Sequence, residues 1–369
     1  MRIAFDATTL RRPQTGIGYY TEHLLHHLLT ESHGDEILLI SNGTIETSTT
    51  LAEAARIQRG HPFPVRNLWL QTLAPLVLLQ SGAEVAHFTN SIAPLLKSVP
   101  TVVTIHDMSL RLFPHFHPRR RVLTRPLVTL TARRADAVIA VSHSAKRDIV
   151  DLTGVPAEKV HVIYEAAAPV FEPILEGQVL EEVRLRYGLG NRLLLHVGTI
   201  EPRKNLVSLV AAFAQLKKEK VPHQLVCAGA LGWGYREVKR QIRRLEIGKH
   251  VRLLGYVPVA DLPALYNLAE AFIFPSFHEG FGLPVLEAMA CGTPVITAGH
   301  SSLAEIAGDA VELIDPHRIE SILQALERLI DNQNRQGELA QRGLERSRRF
   351  TWHRAARETL QVYRRVAGC

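Results

Sequence analysis

The strongest constraint on the fold is a rhythm. Apolar runs of strand length alternate with helical patterns along most of the chain, and the series is run through twice. In the first half the strand candidates are Arg2–Ala7, Ile37–Ser41, Val85–Thr89, Thr101–His106, Ala137–Val141 and Val160–Tyr164. Helical stretches between them include Ile17–Leu29, Arg120–Arg133 and Ser142–Asp151, the last with Ser142 or Ser144 as its cap. A Pro- and Ala-containing stretch, Glu165–Gly177, reads as a connection. The second series has strand candidates Leu193–Val197, Gln224–Ala228, Val251–Gly255, Ala271–Pro275, Thr293–Thr297 and Val311–Ile314. Helical candidates lie at Leu206–Lys218, Tyr235–Glu246, Asp261–Ala269 and Leu283–Ala290, and helical patterns dominate from Arg318 onwards.

Short, nearly continuous apolar strands joined by helices predict parallel sheets covered on both faces. With 369 residues there is room for two cores. The expected class is therefore α/β: two Rossmann-like, doubly wound domains facing a cleft. The expected divisions are a first domain over 1–170, a second over 171–350, and a helical end over 351–369. Ligands of such sheets bind beyond the carboxyl ends of the strands, so the turns there should hold the chemistry.

Several classes are disfavoured by what the turns lack. Gly16-Ile17-Gly18-Tyr19-Tyr20-Thr21 begins like a dinucleotide fingerprint but has no third glycine. No Gly-x-x-x-x-Gly-Lys-Ser/Thr run occurs, and no Asp-x-Asp stands ready to hold a metal on a diphosphate. No segment reaches the roughly 18 apolar residues of a membrane span; Leu68–Leu79 is broken by Gln71 and Pro75. The start runs directly into Ile3-Ala4-Phe5 without a signal-peptide pattern, and the three cysteines, Cys227, Cys291 and Cys369, form no metal-ligand pair. Together these predict a reduced, cytoplasmic location.

The net charge of +7 is unevenly spread. Met108–Ala135 holds seven arginines and no acid, with aromatics and histidines among them in Phe113-Pro114-His115-Phe116-His117. It reads either as a solvated basic face or as a patch for lipid head groups or an acidic acceptor.

Two turns carry the chemistry. After Leu193–Val197 comes Gly198-Thr199-Ile200-Glu201-Pro202-Arg203-Lys204-Asn205, which sets a planar cation and a mobile one just before a helix. That pair suits a diphosphate whose charge grows as it departs, although alone it also fits a solvated surface pair. After Ala271–Phe274 comes Pro275-Ser276-Phe277-His278-Glu279-Gly280-Phe281-Gly282-Leu283-Pro284-Val285-Leu286-Glu287. Gly280 and Gly282 allow close backbone approach, and Pro284 fits the first turn of a helix. Glu287 then lies about one turn inside that helix. Two carboxylates so placed can accept from different hydroxyls of one ligand, or can be a cap and an exposed helical Glu.

The whole chain resembles the retaining glycosyltransferase family 4, of GT-B fold. The resemblance is carried in order by Thr15–Tyr20, Ile105-His106-Asp107, Val141-Ser142-His143-Ser144, Val197–Leu206, Ser276–Glu287 and Cys291-Gly292-Thr293-Pro294-Val295-Ile296. It implies a sugar transfer from a nucleotide sugar with retained anomeric configuration, without a metal or other cofactor. It also implies that 1–170 is the N-terminal acceptor domain, 171–350 the C-terminal donor domain and 351–369 a helix packing back on the first. Arg203 and Lys204 resemble the diphosphate clamp. Glu279 is similar to the carboxylate that holds the donor sugar, aided by amides of Phe281, Gly282 and Leu283 with Gly280 beside them in the donor-binding turn, and Glu287 to the acceptor of the ribose hydroxyls. Gly16 and Gly18 match the glycine loop near the donor phosphates. His106 matches the histidine that reaches the reacting sugar from the N-terminal domain, and backbone near Tyr256 and Val257 is expected in the base pocket.

Within the family the combination is most similar to bacterial mannosyltransferases of polysaccharide assembly. That implies GDP-mannose as donor ahead of UDP-glucose and other UDP-sugars, and a saccharide or lipid-linked oligosaccharide as acceptor. Met108–Ala135 would then meet the inner face of the cytoplasmic membrane. A nucleotide-sugar epimerase or hydrolase and a basic nucleic-acid-binding module are the rivals; no recognised nucleic-acid motif occurs, and none is expected as partner.

Overall fold

The computed structural model describes residues 1–10, 16–32, 34–46, 56–59, 63–218 and 221–368. The chain divides into two units, Met1–Glu165 with Thr351–Cys369, and Ala166–Phe350.

The first unit is built on seven strands: β1 (Arg2–Asp6), β2 (Glu36–Ser41), β3 (Arg56–Arg59), β4 (Val85–Phe88), β5 (Thr101–Ile105), β6 (Ala137–Ala140) and β7 (Val160–Val162). They pair in the order β3-β2-β1-β4-β5-β6-β7, all parallel. The second unit has β8 (Leu193–Val197), β9 (Gln224–Ala228), β10 (Val251–Gly255), β11 (Ala269–Phe274), β12 (Val295–Ala298) and β13 (Glu312–Ile314). Their order is β10-β9-β8-β11-β12-β13, again all parallel. In both sheets the winding direction reverses beside the first strand of the series, between β1 and β4 and between β8 and β11. A doubly wound sheet opens its ligand crevice at that switch point.

Burial explains why these segments are strands. β4, β5, β6, β8 and β12 are buried along their whole length, as strands covered on both faces must be. In the second unit Leu194, Leu225 and Ile273 from the sheet meet Leu209, Phe213 and Leu326 from helices in one core. In the first unit the Trp352–Ala367 helix lies along the Gly16–Glu31 helix, with Trp352 stacked on His23 at 5.5 Å and edge-on to Tyr20 at 5.8 Å. Its cap is Thr351, whose hydroxyl accepts from the Arg354 amide.

Some details differ from the sequence expectation. The Arg120–Arg133 stretch is two helices, Arg119–Val122 and Arg125–Arg134, because Pro126 sits in the first turn of the second and cannot continue the first. β3 carries no apolar run and was not expected. The connection ends earlier than Gly177, which opens a helix, Gly177–Tyr187. Ser142 caps the His143–Thr153 helix by accepting from the Ala145 amide. Among the described residues no helix is long and apolar enough to cross a membrane.

Candidate active site

The turn after β8 is held tightly against its neighbours. A Cβ on Gly229, at the end of β9, would sit 2.1 Å from the Gly198 carbonyl oxygen, so the two turns touch backbone to backbone. The chain then makes a single 3-10 turn, Pro202–Lys204, and leaves it through Asn205 in the left-handed region at φ 58°. Asn205 is tied there by its side-chain amide, which donates to the Pro316 carbonyl at 2.7 Å. The helix Leu206–Lys218 follows directly.

This geometry turns Arg203 and Lys204 inward. They are 9% and 8% exposed, which rules out a solvated surface pair. Both converge on Glu279, delivered by the turn after β11: Arg203 NH1 lies 2.7 Å from its Oε2 and Lys204 Nζ 2.6 Å from its Oε1. Arg203 also reaches Glu201 at 2.6 Å and donates to the His278 carbonyl at 2.6 Å. The Ser276 hydroxyl donates to Glu279 Oε1 at 2.6 Å, and the Phe277 amide donates back to the Arg203 carbonyl at 2.9 Å. The two turns flanking the switch point are therefore one hydrogen-bonded body.

Electrostatics follow from this packing. Burial alone would raise the Glu279 pKa, but Arg203 and Lys204 outweigh it and hold the carboxyl down at about 2. Burial lowers the Lys204 pKa, against the pull of Glu279. With two cations on one carboxylate, the pair is ionic. Lys204 Nζ also stands 4.5 Å over the Phe274 ring, which stacks on Phe272 and on the fully buried His196. The His196 Nδ1–H donates to the Ile273 carbonyl, and burial pushes its pKa down to about 4, so this ring is neutral.

Glu287 stands apart from that cluster. Gly282, at φ 109°, precedes the Leu283–Ala290 helix and sits so close to Leu303 that a Cβ would meet it at 2.7 Å. Glu287 lies one turn in. Its Oε2 accepts from the Tyr266 hydroxyl at 2.8 Å, and burial pushes its pKa up to about 7. The two carboxylates thus have opposite electrostatic settings: Glu279 is charged throughout the neutral range and Glu287 is poised near neutrality. Phe281 is buried edge-on to Phe350, and the Glu279 carbonyl accepts from Ser302 at 2.8 Å, which anchors the Gly280–Leu283 stretch on both sides. Val257 is buried and Tyr256 half exposed just past the carboxyl end of β10.

In the first unit Gly16 and Gly18 are not in a loop: both belong to the first turn of the Gly16–Glu31 helix, with Gly18 buried. Thr15, the start of that motif, lies outside the described residues. His106 follows β5 and has both ring nitrogens engaged. Nδ1 is 2.9 Å from Glu165 Oε1 and Nε2 is 2.9 Å from the Thr89 carbonyl, with Tyr20 edge-on at 4.7 Å. A carbonyl and a carboxylate only accept, so both nitrogens carry hydrogens and the ring is an imidazolium. Burial lowers its pKa, but the Glu165 bond and charge prevail and the net shift is upward.

The partners Glu201, Tyr266, Ser302 and Glu165 were not singled out from sequence. Glu201 and Ser276 stood inside quoted motifs. Tyr266 sits in an apolar helical pattern that reads as core, and Glu165 in an apparent connection.

Two family models match the chain, one for each unit: "Glycosyltransferase Family 4" over residues 15–167 and "Glycosyl transferases group 1" over residues 183–346. The O-antigen chain mannosyltransferase B of Escherichia coli is 29% identical, over 99% of this chain and all of that one. Among solved structures, the sucrose-phosphate synthase of Thermosynechococcus elongatus superposes with a TM-score of 0.78 at 20% identity, covering 100% of this chain and 99% of that one. The HepE protein of Anabaena, solved with UDP and glucose, gives 0.76 at 21%, covering 97% and 98%. The fold they share with this chain is GT-B.

Proposed function

The chain belongs to the family 4 glycosyltransferases, and on that premise we propose that it transfers mannose from GDP-mannose to a hydroxyl of a saccharide or lipid-linked oligosaccharide, with retention at the anomeric carbon. The reading is carried by the convergence of Arg203 and Lys204 on Glu279 beyond the ends of β8 and β11. A diphosphate entering there takes over the two cations, and Glu279, released from them, accepts from hydroxyls of the donor sugar. Glu287 accepts from the ribose.

The chemistry needs no covalent enzyme intermediate. The bond from the anomeric carbon to the phosphate oxygen breaks, and the bond to the acceptor oxygen forms on the same face. The hydroxyl proton passes to the departing phosphate. Arg203 and Lys204 stabilise the charge that grows on that phosphate, and cations placed for such charge act on turnover more than on binding. No protein carboxylate or bound metal is required as base in this scheme.

Mannose is favoured by the name of the full-length Escherichia coli relative. A UDP-hexose is the second reading, favoured by the UDP and glucose of the Anabaena structure. The acceptor reading includes a peripheral contact with anionic lipid through Met108–Ala135. There Arg111, Arg119, Arg120, Arg121, Arg133 and Arg134 are exposed, together with Leu123 at 79%.

The test is a screen of GDP- and UDP-sugars by thermal stabilisation and product analysis in the presence of a chelator. Saturation at 100 times the dissociation constant should stabilise by about 2.7 kcal/mol. A new α-mannoside from GDP-α-mannose supports the proposal; an inverted product, an isomerised donor or a strict metal requirement overturns it.

A further inference from the structure

The Tyr266–Glu287 pair joins a residue of the proposed donor machinery to a side chain with no contact to ligand in that scheme, and it stands apart from the Arg203–Lys204–Glu279 cluster. Tyr266 lies in the Leu262–Leu268 helix and is fully buried. Its ring is wedged edge-on between Phe272 at 5.3 Å and Phe171 at 5.8 Å. Its backbone is latched as well: the Thr293 hydroxyl donates to the Tyr266 carbonyl at 2.8 Å. Thr293 is the threonine of the Cys291-Gly292-Thr293-Pro294 motif, which the donor scheme leaves without a task. The phenol is thus fixed by two rings and one backbone bond, with its single hydrogen spent on Glu287 Oε2. Burial and the neighbouring Glu287 hold its pKa well above the ordinary value, so it remains a donor.

A carboxylate that must accept from two vicinal hydroxyls needs its plane fixed and its charge maintained. One donor on Oε2 does both. It leaves Oε1 and the second lone pair of Oε2 for the incoming diol, and it favours the charged form that a diol prefers. Without it, burial acts on the Glu287 carboxyl unopposed and raises its pKa further, and its last bond rotates freely. We propose that Tyr266 is the positioning residue for Glu287, and that through this hydrogen bond the chain selects ribonucleotide over 2′-deoxyribonucleotide sugar donors. The inference rests on the reading of Glu287 as the ribose acceptor.

The variant Tyr266→Phe keeps the ring and both edge contacts and removes only the donor. Calorimetric titration of GDP, UDP and their 2′-deoxy forms into the wild type, Tyr266→Phe and Glu287→Ala separates the possibilities. In Tyr266→Phe the ribonucleotides should bind about tenfold more weakly, as expected for one hydrogen bond to a charged group. The deoxy forms, which lack one of the two hydroxyls, should change far less, so the ribose preference collapses. The KM for nucleotide sugar should rise while kcat stays within roughly twofold. The preference is a ratio within one preparation, so a partly unfolded sample does not mimic the effect. Thr293→Val, which removes the latch and keeps the phenol, should reduce the same preference to a smaller degree.

Equal weakening of ribo- and deoxynucleotides in Tyr266→Phe, or an unchanged preference, overturns the role of Tyr266. A Glu287→Ala variant that binds all four nucleotides as the wild type does overturns the ribose reading beneath it. Loss of preference in Glu287→Ala with preference intact in Tyr266→Phe sinks the positioning role alone.

Discussion

The Lys204 ammonium lies 2.6 Å from the Glu279 carboxylate, and both side chains are buried. Replacing Arg203 and Lys204 by alanine together would therefore leave Glu279 buried without a cation, a loss of about 3–5 kcal/mol of the kind seen when a buried pair is broken. Falling activity in such a variant mixes stability with catalysis. A cleaner experiment is a cycle of Lys204→Met and Glu279→Gln. Each single change should cost more stability than the pair, with a coupling of about 1–3 kcal/mol. Turnover should fall about 100- to 1000-fold in Lys204→Met even where the protein is folded. Additive melting shifts would show that the pair is not energetically coupled.

The same pair sets an acid limit. The Glu279 pKa is depressed from 4.5 to about 2, so its contribution is complete above 4.5 and is lost as pH falls through about 2. The contribution is on the order of 3 kcal/mol. Acid unfolding monitored by circular dichroism should begin at higher pH in Lys204→Met than in the wild type. Coincident acid transitions would contradict the ionic pairing.

Much of this architecture was legible because parallel strands covered on both faces are written as apolar runs. β8, β9 and β10 begin and end where those runs do. Arg56–Arg59 has no such run and pairs with β2, a tertiary fact. The cations and both carboxylates were legible through the family resemblance, since the basic pair alone also fits a solvated surface pair and the carboxylates a cap and an exposed helical Glu. Their pairing was not: Lys204 and Glu279 are 75 residues apart, and only the adjacency of β8 and β11 brings their turns into contact. Tyr266 and Glu165 were hidden for a simpler reason. One looks like core and the other like linker, and a single buried hydrogen bond leaves no periodic trace.

His106 and Glu165 give a test within the first unit. The His106 pKa is raised above 6.5, so the ion pair stabilises fully below that value and its contribution is lost as pH rises through the folded pKa. Asp107 adds to the upward pull, and the neighbouring His87 is held neutral by burial, at about 3. Glu165→Gln should melt lower than the wild type at pH 6, with the gap narrowing at alkaline pH. Ring-nitrogen NMR of His106 should report an imidazolium at pH 6.5 in the wild type and a neutral ring in Glu165→Gln. A neutral ring in both would refute the hydrogen count on which the assignment rests.

Glu287 carries the reverse sign. Burial raises its pKa from 4.5 to about 7, so the folded state holds a proton that the unfolded state has released. The group costs nothing below 4.5, and stability drains away as pH rises towards 7. Glu287→Gln should therefore melt higher than the wild type at pH 8 and close to it at pH 4.5. If hydroxyl recognition needs the carboxylate, nucleotide affinity in the wild type should fall as pH drops below 7, and in Glu287→Gln it should be weak and flat. A stabilised but non-binding variant is the expected signature of a site that gives up stability for function. Equal melting at both pH values would mean that burial does not govern this carboxyl.

The basic segment of the first unit can be judged by what it leaves exposed. Arg119, Arg120 and Arg121 form most of a short helix, and Leu123, which follows it, is 79% exposed, with Leu130 at 43% on the next helix. Phe113 and Phe116 stack at 5.7 Å beside them. A lipid contact uses both kinds of side chain: each cation near an anionic surface contributes about 1 kcal/mol, and the apolar side chains enter the head-group boundary. Arg119→Gln, Arg120→Gln and Arg121→Gln together should lower sedimentation with phosphatidylglycerol vesicles about 100-fold in partition coefficient. The same change should leave turnover on a soluble acceptor unaltered. Leu123→Ser should weaken binding to a smaller extent and make the remainder more sensitive to salt, since only the Coulombic part is screened. Binding that is absent in the wild type, or indifferent to the arginines, would return the segment to the solvated reading.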